Sequence, residues 1–350
     1  MRGNSKINRA FHSGQTWVNS AQHRASSYLY QPLNRQRRFV VLAGAAAFVT
    51  ACRQRPPEIA EPAGKVAAGA RIIQHGLGET IVPDNPSRVV VWGYAMVEAV
   101  VALGVQPVGI PGIILEEATY FDLDKEAIAN ISETGEPNLE AIAALNPDLI
   151  LTTQSLGANS YTLFSQIAPT VAFDIDERVE WRGLTRLCAE ALNKQSAAEK
   201  LSADYDAKLA QLKSELSQPP EAIETSVVIF LPNEIRAMGD NSFPGSILSD
   251  VGLSRPPSQM GKADLRNISI EALDQIDGDV MFVLTPQSNT ALADRMRAEI
   301  ESVQANPLWQ QLSAVQNGSV YDVEQYWVFG NYIAADLVLE DLMVHLTETI

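Results

Sequence analysis

The sequence predicts an α/β protein of two similar lobes, with mainly parallel sheets, joined by a single long helix. Three observations carry that expectation. A helix-strand unit, Asn138–Leu151 (NLEAIAALNPDLIL), returns as Ser269–Phe282 (SIEALDQIDGDVMF), which implies duplication. Continuous apolar runs at Arg88–Trp92 and Ser226–Leu231 suit parallel strands covered on both faces. Between the halves, Ser196–Gln218 is amphipathic with helical spacing and spans roughly 33 Å at 1.5 Å per residue, about one domain.

The amino-terminal part is set apart by charge. Residues 1–52 hold seven of the 26 Lys/Arg and none of the 42 Asp/Glu, so the remainder is more acidic than the net charge of −16 suggests. Such a body repels polyanionic duplexes, which argues against a nucleic-acid partner. Arg35-Gln36-Arg37-Arg38 followed by the apolar run Phe39–Ala51 reads as an export signal. The run falls short of the ~20 residues that a helix needs to cross a bilayer. Val49-Thr50-Ala51-Cys52 resembles a bacterial lipobox, which implies cleavage before Cys52 and a lipid on its sulfur, hence a membrane partner through that anchor. Arg37-Arg38 leaves open both the twin-arginine and the general secretory route. Residues 1–34 form a long polar extension, either disordered or upstream of a non-Met start, with no second Met before Met96. Residues 53–70, with Pro56, Pro57 and Pro62, read as a flexible tether.

The first lobe is expected over 71–195. Ile72–Val82 reads as a hairpin broken at Gly76-Leu77-Gly78, and this GxG opens no helix, which rejects a dinucleotide site. A strand at Arg88–Trp92, a helix Ala95–Leu103 stopped by Gly104, and a strand Pro107–Ile110 make a right-handed parallel unit. In the repeated unit, Asn138 caps a short helix with Leu139, Ile142 and Leu145 on one face, and Asn146-Pro147 ends it before the strand from Asp148. Glu140 stands in its first turn, away from the apolar face, where the helix dipole tolerates it. Ser165–Phe173 adds a short helix and a strand. Cys188 lies on an apolar helical face, and with Cys52 as the second of two cysteines there is no disulfide framework.

The connecting helix is expected over 196–218. Ser196-Ala197-Ala198-Glu199 reads as its capping box, with Leu201, Tyr205, Leu209, Leu212 and Leu216 along one face and Pro219-Pro220 at its end. The second lobe, 219–350, restarts the pattern: strand Ser226–Leu231, a loop Asn233–Phe243, and helix Gly245–Val251 closed by Gly252. An irregular segment with Arg255 and Arg266 follows, then the second unit with Glu271 for Glu140 and Asp279 for Asp148. Pro307–Leu312 reads as a short helix, Ser319–Val323 as the last strand, Gln325–Gly330 as an aromatic loop and Tyr332–Leu346 as the closing helix.

Taken together these residues resemble the periplasmic iron-siderophore binding family of ABC importers, the cluster that also contains cobalamin and haem binders. The resemblance is carried by Ile81–Val91, Leu103–Gly109, Pro137–Glu140 through Pro147–Ile150, Ala168–Val171, Ile268–Leu273, Pro307-Leu308-Trp309 and Trp327, and it covers Ile72 to the end. It implies two Rossmann-like lobes joined by one long helix, with the ligand held between them. It also implies that Glu140 and Glu271 dock against arginines of the membrane permease, whose ATPase completes the importer. The chain would act as a monomer, lipid-anchored on the periplasmic face of the bacterial inner membrane or on the outer face of the cell membrane.

Ferric siderophores are bulky, often anionic and partly aromatic, and call for arginines and aromatic walls. The candidate contacts are Trp92, Tyr94, Arg182, Arg236 and Trp327, each expected from a loop at a strand's carboxyl end. No cofactor or resident metal is expected, because the siderophore itself holds the iron. A related cluster binds bare zinc or manganese through histidines, but only His12, His23, His75 and His345 exist here. Walker A, G-x-S-x-G and H-E-x-x-H motifs are missing from the sequence. A cobalamin or haem binder of the same cluster, a hydrolase built from distant carboxylates and a ligand-free lipoprotein scaffold are the competing readings.

Overall fold

The structure is a computed structural model that describes residues 69–347 except 134, 155, 156, 175–179, 288 and 289. The expected signal, Cys52 and almost all of the expected tether lie outside the described residues. The chain opens as the expected hairpin, β1 (Ala70–His75) antiparallel to β2 (Gly78–Pro83). Thr80 Oγ1 donates to the Thr170 carbonyl at 2.8 Å, and Gly76 N to that of Ala172 at 3.1 Å, which lays the hairpin along the first lobe's sheet edge.

That sheet is five-stranded and wholly parallel, in the order β5 (Ala129–Asn130), β4 (Gly109–Ile110), β3 (Val89–Val91), β6 (Leu149–Thr153), β7 (Thr170–Phe173). Its central strands are buried on both faces. Val89 and Val91 point into one apolar cluster, while Val90 and Trp92 point into another with Ile142, Ile150 and Phe164. Each such fully covered side chain contributes about 1.5–3 kcal/mol. The helices of this lobe are α1 (Tyr94–Ala102), α2 (Gly112–Glu117), α3 (Leu139–Ala144), α4 (Gly157–Ser165) and α5 (Trp181–Leu192). Gly104, at φ +79°, ends the α1 region in the left-handed conformation that its lack of Cβ permits. Cys188 on α5 is buried in the core.

The connector α6 (Gln195–Glu215) is a 21-residue helix that buries Tyr205 and Leu212 and packs Leu201, Leu209 and Leu216 against the second lobe's core. Its amino end corrects the expected capping box. Lys194 is the cap, no side chain bonds there, and Ser196 is already inside the helix.

The second sheet is also five-stranded: β10 (Asp264–Ile268), β9 (Glu234–Met238), β8 (Thr225–Leu231), β11 (Val280–Leu284), β12 (Val320–Val323). Strands β8, β11 and β12 are parallel, but β9 runs antiparallel to β8, so half of the expected loop Asn233–Phe243 is strand. Asn233, at φ +63°, makes the turn between them. Arg266, expected in an irregular segment, stands on β10. The remaining helices are α7 (Phe243–Val251), α8 (Ala291–Gln304), α9 (Ser313–Gln316) and α10 (Tyr332–Thr347). Helix α8 was not expected, although Thr290 caps it through its side chain and Ala293, Met296, Ile300 and Val303 form its buried stripe. No described helix is long and apolar enough to cross a membrane.

Candidate functional site

In open α/β sheets ligands gather beyond the carboxyl ends of the strands. In the first lobe β3 ends at Trp92-Gly93, where Gly93 has φ +147° and lets the chain turn straight into α1 at Tyr94. In the second lobe β12 ends before the 3-10 turn Gln325–Trp327, and residues 328–331 lead into α10.

These two segments meet. The ring of Tyr94 stands edge-on to Phe329, with centroids 4.6 Å apart, and to Phe121 at 6.4 Å. Tyr120, also of the first lobe, meets Tyr326 of the second at 5.7 Å. Gln325 Nε2 donates to Glu117 Oε2 at 3.2 Å, and the Tyr94 hydroxyl to the Glu117 carbonyl at 3.4 Å. Burial raises the Glu117 carboxyl above its ordinary value, and burial likewise raises the Tyr94 phenol. The result is a half-buried aromatic patch, edged with polar groups and shared by the two lobes.

Of the five candidate contacts, Tyr94 belongs to this patch. Trp92 does not: it is 8% exposed and packs in the first lobe's core, its ring 6.3 Å from Phe164. Trp327 sits within the aromatic segment but is fully buried, stacked on Phe282 at 4.4 Å with Nε1 donating to Asp341 at 2.7 Å. Its neighbours Tyr326 and Phe329 are the half-exposed ones. The segment was legible and the residue within it was not, because size selects a tryptophan and only packing shows which way it points.

The two arginines stand on regular elements, contrary to the loops expected. Arg182 is in the first turn of α5, with its guanidinium 4.0 Å above the Trp181 ring and 5.1 Å from Tyr205. It pairs with Asp250 of α7, which also accepts from the Tyr205 hydroxyl at 2.7 Å. Arg182 thus ties the first lobe to the connector and to the second lobe. Arg236, on β9, is 1% exposed and bidentate to Glu234, both bonds 2.8 Å. Burial, and next the charge of Arg266, depress its guanidinium to about 9. Arg266 in turn pairs with Asp264 at 2.7 Å, giving two arginines on neighbouring strands, each with its own carboxylate.

Glu140 and Glu271 are both exposed. Each lies in the first turn after its lobe's edge strand, β5 or β10, and so at the carboxyl end of that sheet. A recess of about 330 Å³ lined by Glu224, Asp274, Asp277 and Asp279 stands at the other end, where β8 and β11 begin. Asp277 accepts from Ser313 N and Ala314 N, and Asp279 from Glu224 N, so these carboxylates have structural employment there. The described residues contain no cluster of three or more His, Cys, Asp or Glu suited to a metal ion.

Comparison with known proteins agrees with this architecture. The chain is 31% identical over 291 residues to YfiY of Bacillus subtilis, named a probable siderophore-binding lipoprotein, covering 80% of this chain and 88% of that one. It is 29% identical over 271 residues to the Fe(3+)-citrate-binding protein YfmC of the same organism, covering 73% and 79%. Among solved structures, Staphylococcus aureus SirA complexed with staphyloferrin B matches with a TM-score of 0.66 at 28% identity, over 79% of this chain and 98% of SirA. The family model described as periplasmic binding protein matches residues 89–326, a span that takes in both sheets, the connector and the shared aromatic patch, and the chain therefore belongs to the periplasmic binding protein family.

Proposed function

We propose that this protein is the extracytoplasmic binding component of an ABC importer, and that it captures a ferric siderophore between its lobes for delivery to the permease. Membership of the binding-protein family supports the role. The observation that favours this ligand class is the shared patch of Tyr94, Tyr120, Tyr326 and Phe329 with its polar edge. Flat aromatic edges suit the apolar and aromatic parts of a chelate, and arginines suit its anionic groups. Arg236 and Arg182 are the cations proposed to meet those groups, which would have to draw Arg236 from Glu234 and Arg182 from Asp250. Trp92 and Trp327 would act from behind, by holding the strand end and the aromatic segment in place. The siderophore brings its own iron ligands, so the protein need supply none.

Two further parts of the reading concern the membrane. Cys52 is proposed to carry a lipid that keeps the protein at the outer face of the inner membrane, and Glu140 with Glu271 to dock on arginines of the permease. The protein is proposed to work as a monomer. The reading is tested by tryptophan and tyrosine fluorescence titration against ferric citrate, a ferric hydroxamate and a ferric catecholate. Saturable quenching by one of them is the expected result. Binding of cobalamin or haem instead, or of none, would overturn the ligand class. Extraction of the exported form into detergent phase, lost in Cys52→Ser, tests the anchor.

A further inference from the structure

Helix α1 carries a carboxylate, Glu98, that is wholly buried, with 0% exposure. Its Oε1 accepts from Asn331 N and from Ala334 N, both at 2.8 Å, which places it at the amino end of α10 in the other lobe. Its Oε2 accepts from the Tyr120 hydroxyl at 2.8 Å. The backbone is built to admit it: a Cβ on Gly330 would lie 2.2 Å from Ala334 Cβ and 2.9 Å from Glu98 Oε2. Asn331, also wholly buried, continues the tie. Its Nδ2 donates to the Trp181 carbonyl at 3.1 Å, and its Oδ1 accepts from Thr185 of α5. One side chain of the first lobe therefore caps a helix of the second and holds a tyrosine of the aromatic patch.

We propose that Glu98 is a positioning residue for the patch: its carboxylate pins the start of α10 to Tyr120, and so sets the spacing of Tyr94 and Tyr120 against Tyr326 and Phe329. This rests on the patch being the ligand floor proposed above. The pin itself involves no ligand and stands or falls separately.

The division of bonds is chemically informative. Both backbone amides go to one oxygen and the phenol to the other, a pattern that a neutral acid or a carboxamide also satisfies, with the second group donating to the phenol oxygen. Burial pushes the Glu98 carboxyl up to about 7, against the pull of the N–H groups and of Tyr120. The titratable groups that face it are Tyr120 and, behind that, Tyr94. The neighbouring charges are engaged elsewhere: Asp336 of α10 with Lys208 at 2.7 Å, Asp341 with Tyr326 and Trp327, and Arg182 of α5 with Asp250. The carboxyl is ionised near 4.5 in an unfolded chain and near 7 here, so its contribution to stability is complete below pH 4.5 and is lost as pH rises through 7.

The experiment compares wild type with Glu98→Gln, Glu98→Ala and Tyr120→Phe. Without ligand, the melting temperature of wild type should fall relative to Glu98→Gln by roughly 5 °C between pH 5.5 and 8.5. Parallel curves would overturn the proposal. Hydrogen exchange of the amides of residues 331–334 should quicken at least ~10-fold in Glu98→Ala and return towards wild type in Glu98→Gln. Unchanged exchange in Glu98→Ala would overturn it too. With ferric citrate and a ferric hydroxamate as probes, Glu98→Ala should bind about 10-fold more weakly and Glu98→Gln about as wild type. Equal binding by a folded Glu98→Ala overturns the positioning role. If neither probe binds wild type, a ferric catecholate takes their place, and failure of all three fails the ligand class while melting and exchange still judge the pin. Should Glu98→Ala not fold, Glu98→Gln and Tyr120→Phe carry the comparison, the latter losing one bond and keeping the helix cap.

Discussion

The same helix-strand unit occurs once in each lobe, and the two copies have kept different things. In the first, Asn138 Oδ1 accepts from Ala141 N at 3.0 Å and Leu139–Ala144 is α-helix. In the second, Ser269 makes no side-chain cap, Ile270–Ile276 is 3-10, and Ala272 leaves helical geometry at φ −115°, ψ 30°. The first unit feeds a wholly parallel sheet, the second a sheet whose β9 runs backwards. What both retain is the pair of acids. Glu140 and Glu271 are exposed in the first turn, and Asp148 and Asp279 stand just before β6 and β11. Asp148 accepts from Ser87 N, Ser87 Oγ and Arg88 N, which lead into β3, and Asp279 accepts from Glu224 N, which leads into β8. Each aspartate thus fastens its strand to the central strand of its lobe. Regular helix between the two acids proved dispensable, whereas the strand fastener and the loose glutamate did not.

That contrast can be tested, beginning with its outermost residues. If the retained glutamates serve a shared task outside the molecule, Glu140→Ala with Glu271→Ala should abolish uptake in cells while leaving ligand affinity and melting temperature as in wild type. Full transport by the double variant would separate the two copies and remove the reason for their likeness. The aspartates should rank by their bonds. Asp148→Ala, losing three, should cost about 2–3 kcal/mol by chemical denaturation, and Asp279→Ala, losing one at an exposed position, about 1 kcal/mol or less. Equal costs would show that the fasteners are not what the bonds suggest. The smallest effect belongs to the caps. Asn138→Ala should cost about 1 kcal/mol, and Ser269→Ala close to nothing, because only the former side chain bonds to its helix.

The sequence-based expectations succeeded where periodicity and local chemistry agree. Buried strands at 88–92 and 226–231 follow from unbroken apolar runs, and the glycine stops at Gly104 and Gly252 from the left-handed φ that each adopts. They failed where burial is decided by packing. Glu234–Met238 carries two charges in five residues, yet β8 pairs with it, Ile235 and Ala237 face the core, and Arg236 is buried with its charge held by Glu234. Helix α8 is legible in its stripe and in its Thr290 cap, although its exposed face mixes charged residues with Ala291, Leu292, Ala298 and Ser302. Among the aromatic residues near β12, the sequence marked the segment, but Trp327 turned inward to Phe282 and Asp341.

From the residue order alone come the duplication, the alternation of strand and helix, and the family of folds, since these depend on interactions within a few turns of chain and on hydrophobic period. The choice between Trp327 and its neighbours depends on Phe282 and Asp341 within the second lobe, while the facing of Tyr94 to Phe329 and the pin from Glu98 to the start of α10 depend on groups more than two hundred residues apart. They are settled only when two independently patterned lobes are brought into contact, because burial and hydrogen bonding are properties of the place a side chain reaches and not of its neighbours in sequence.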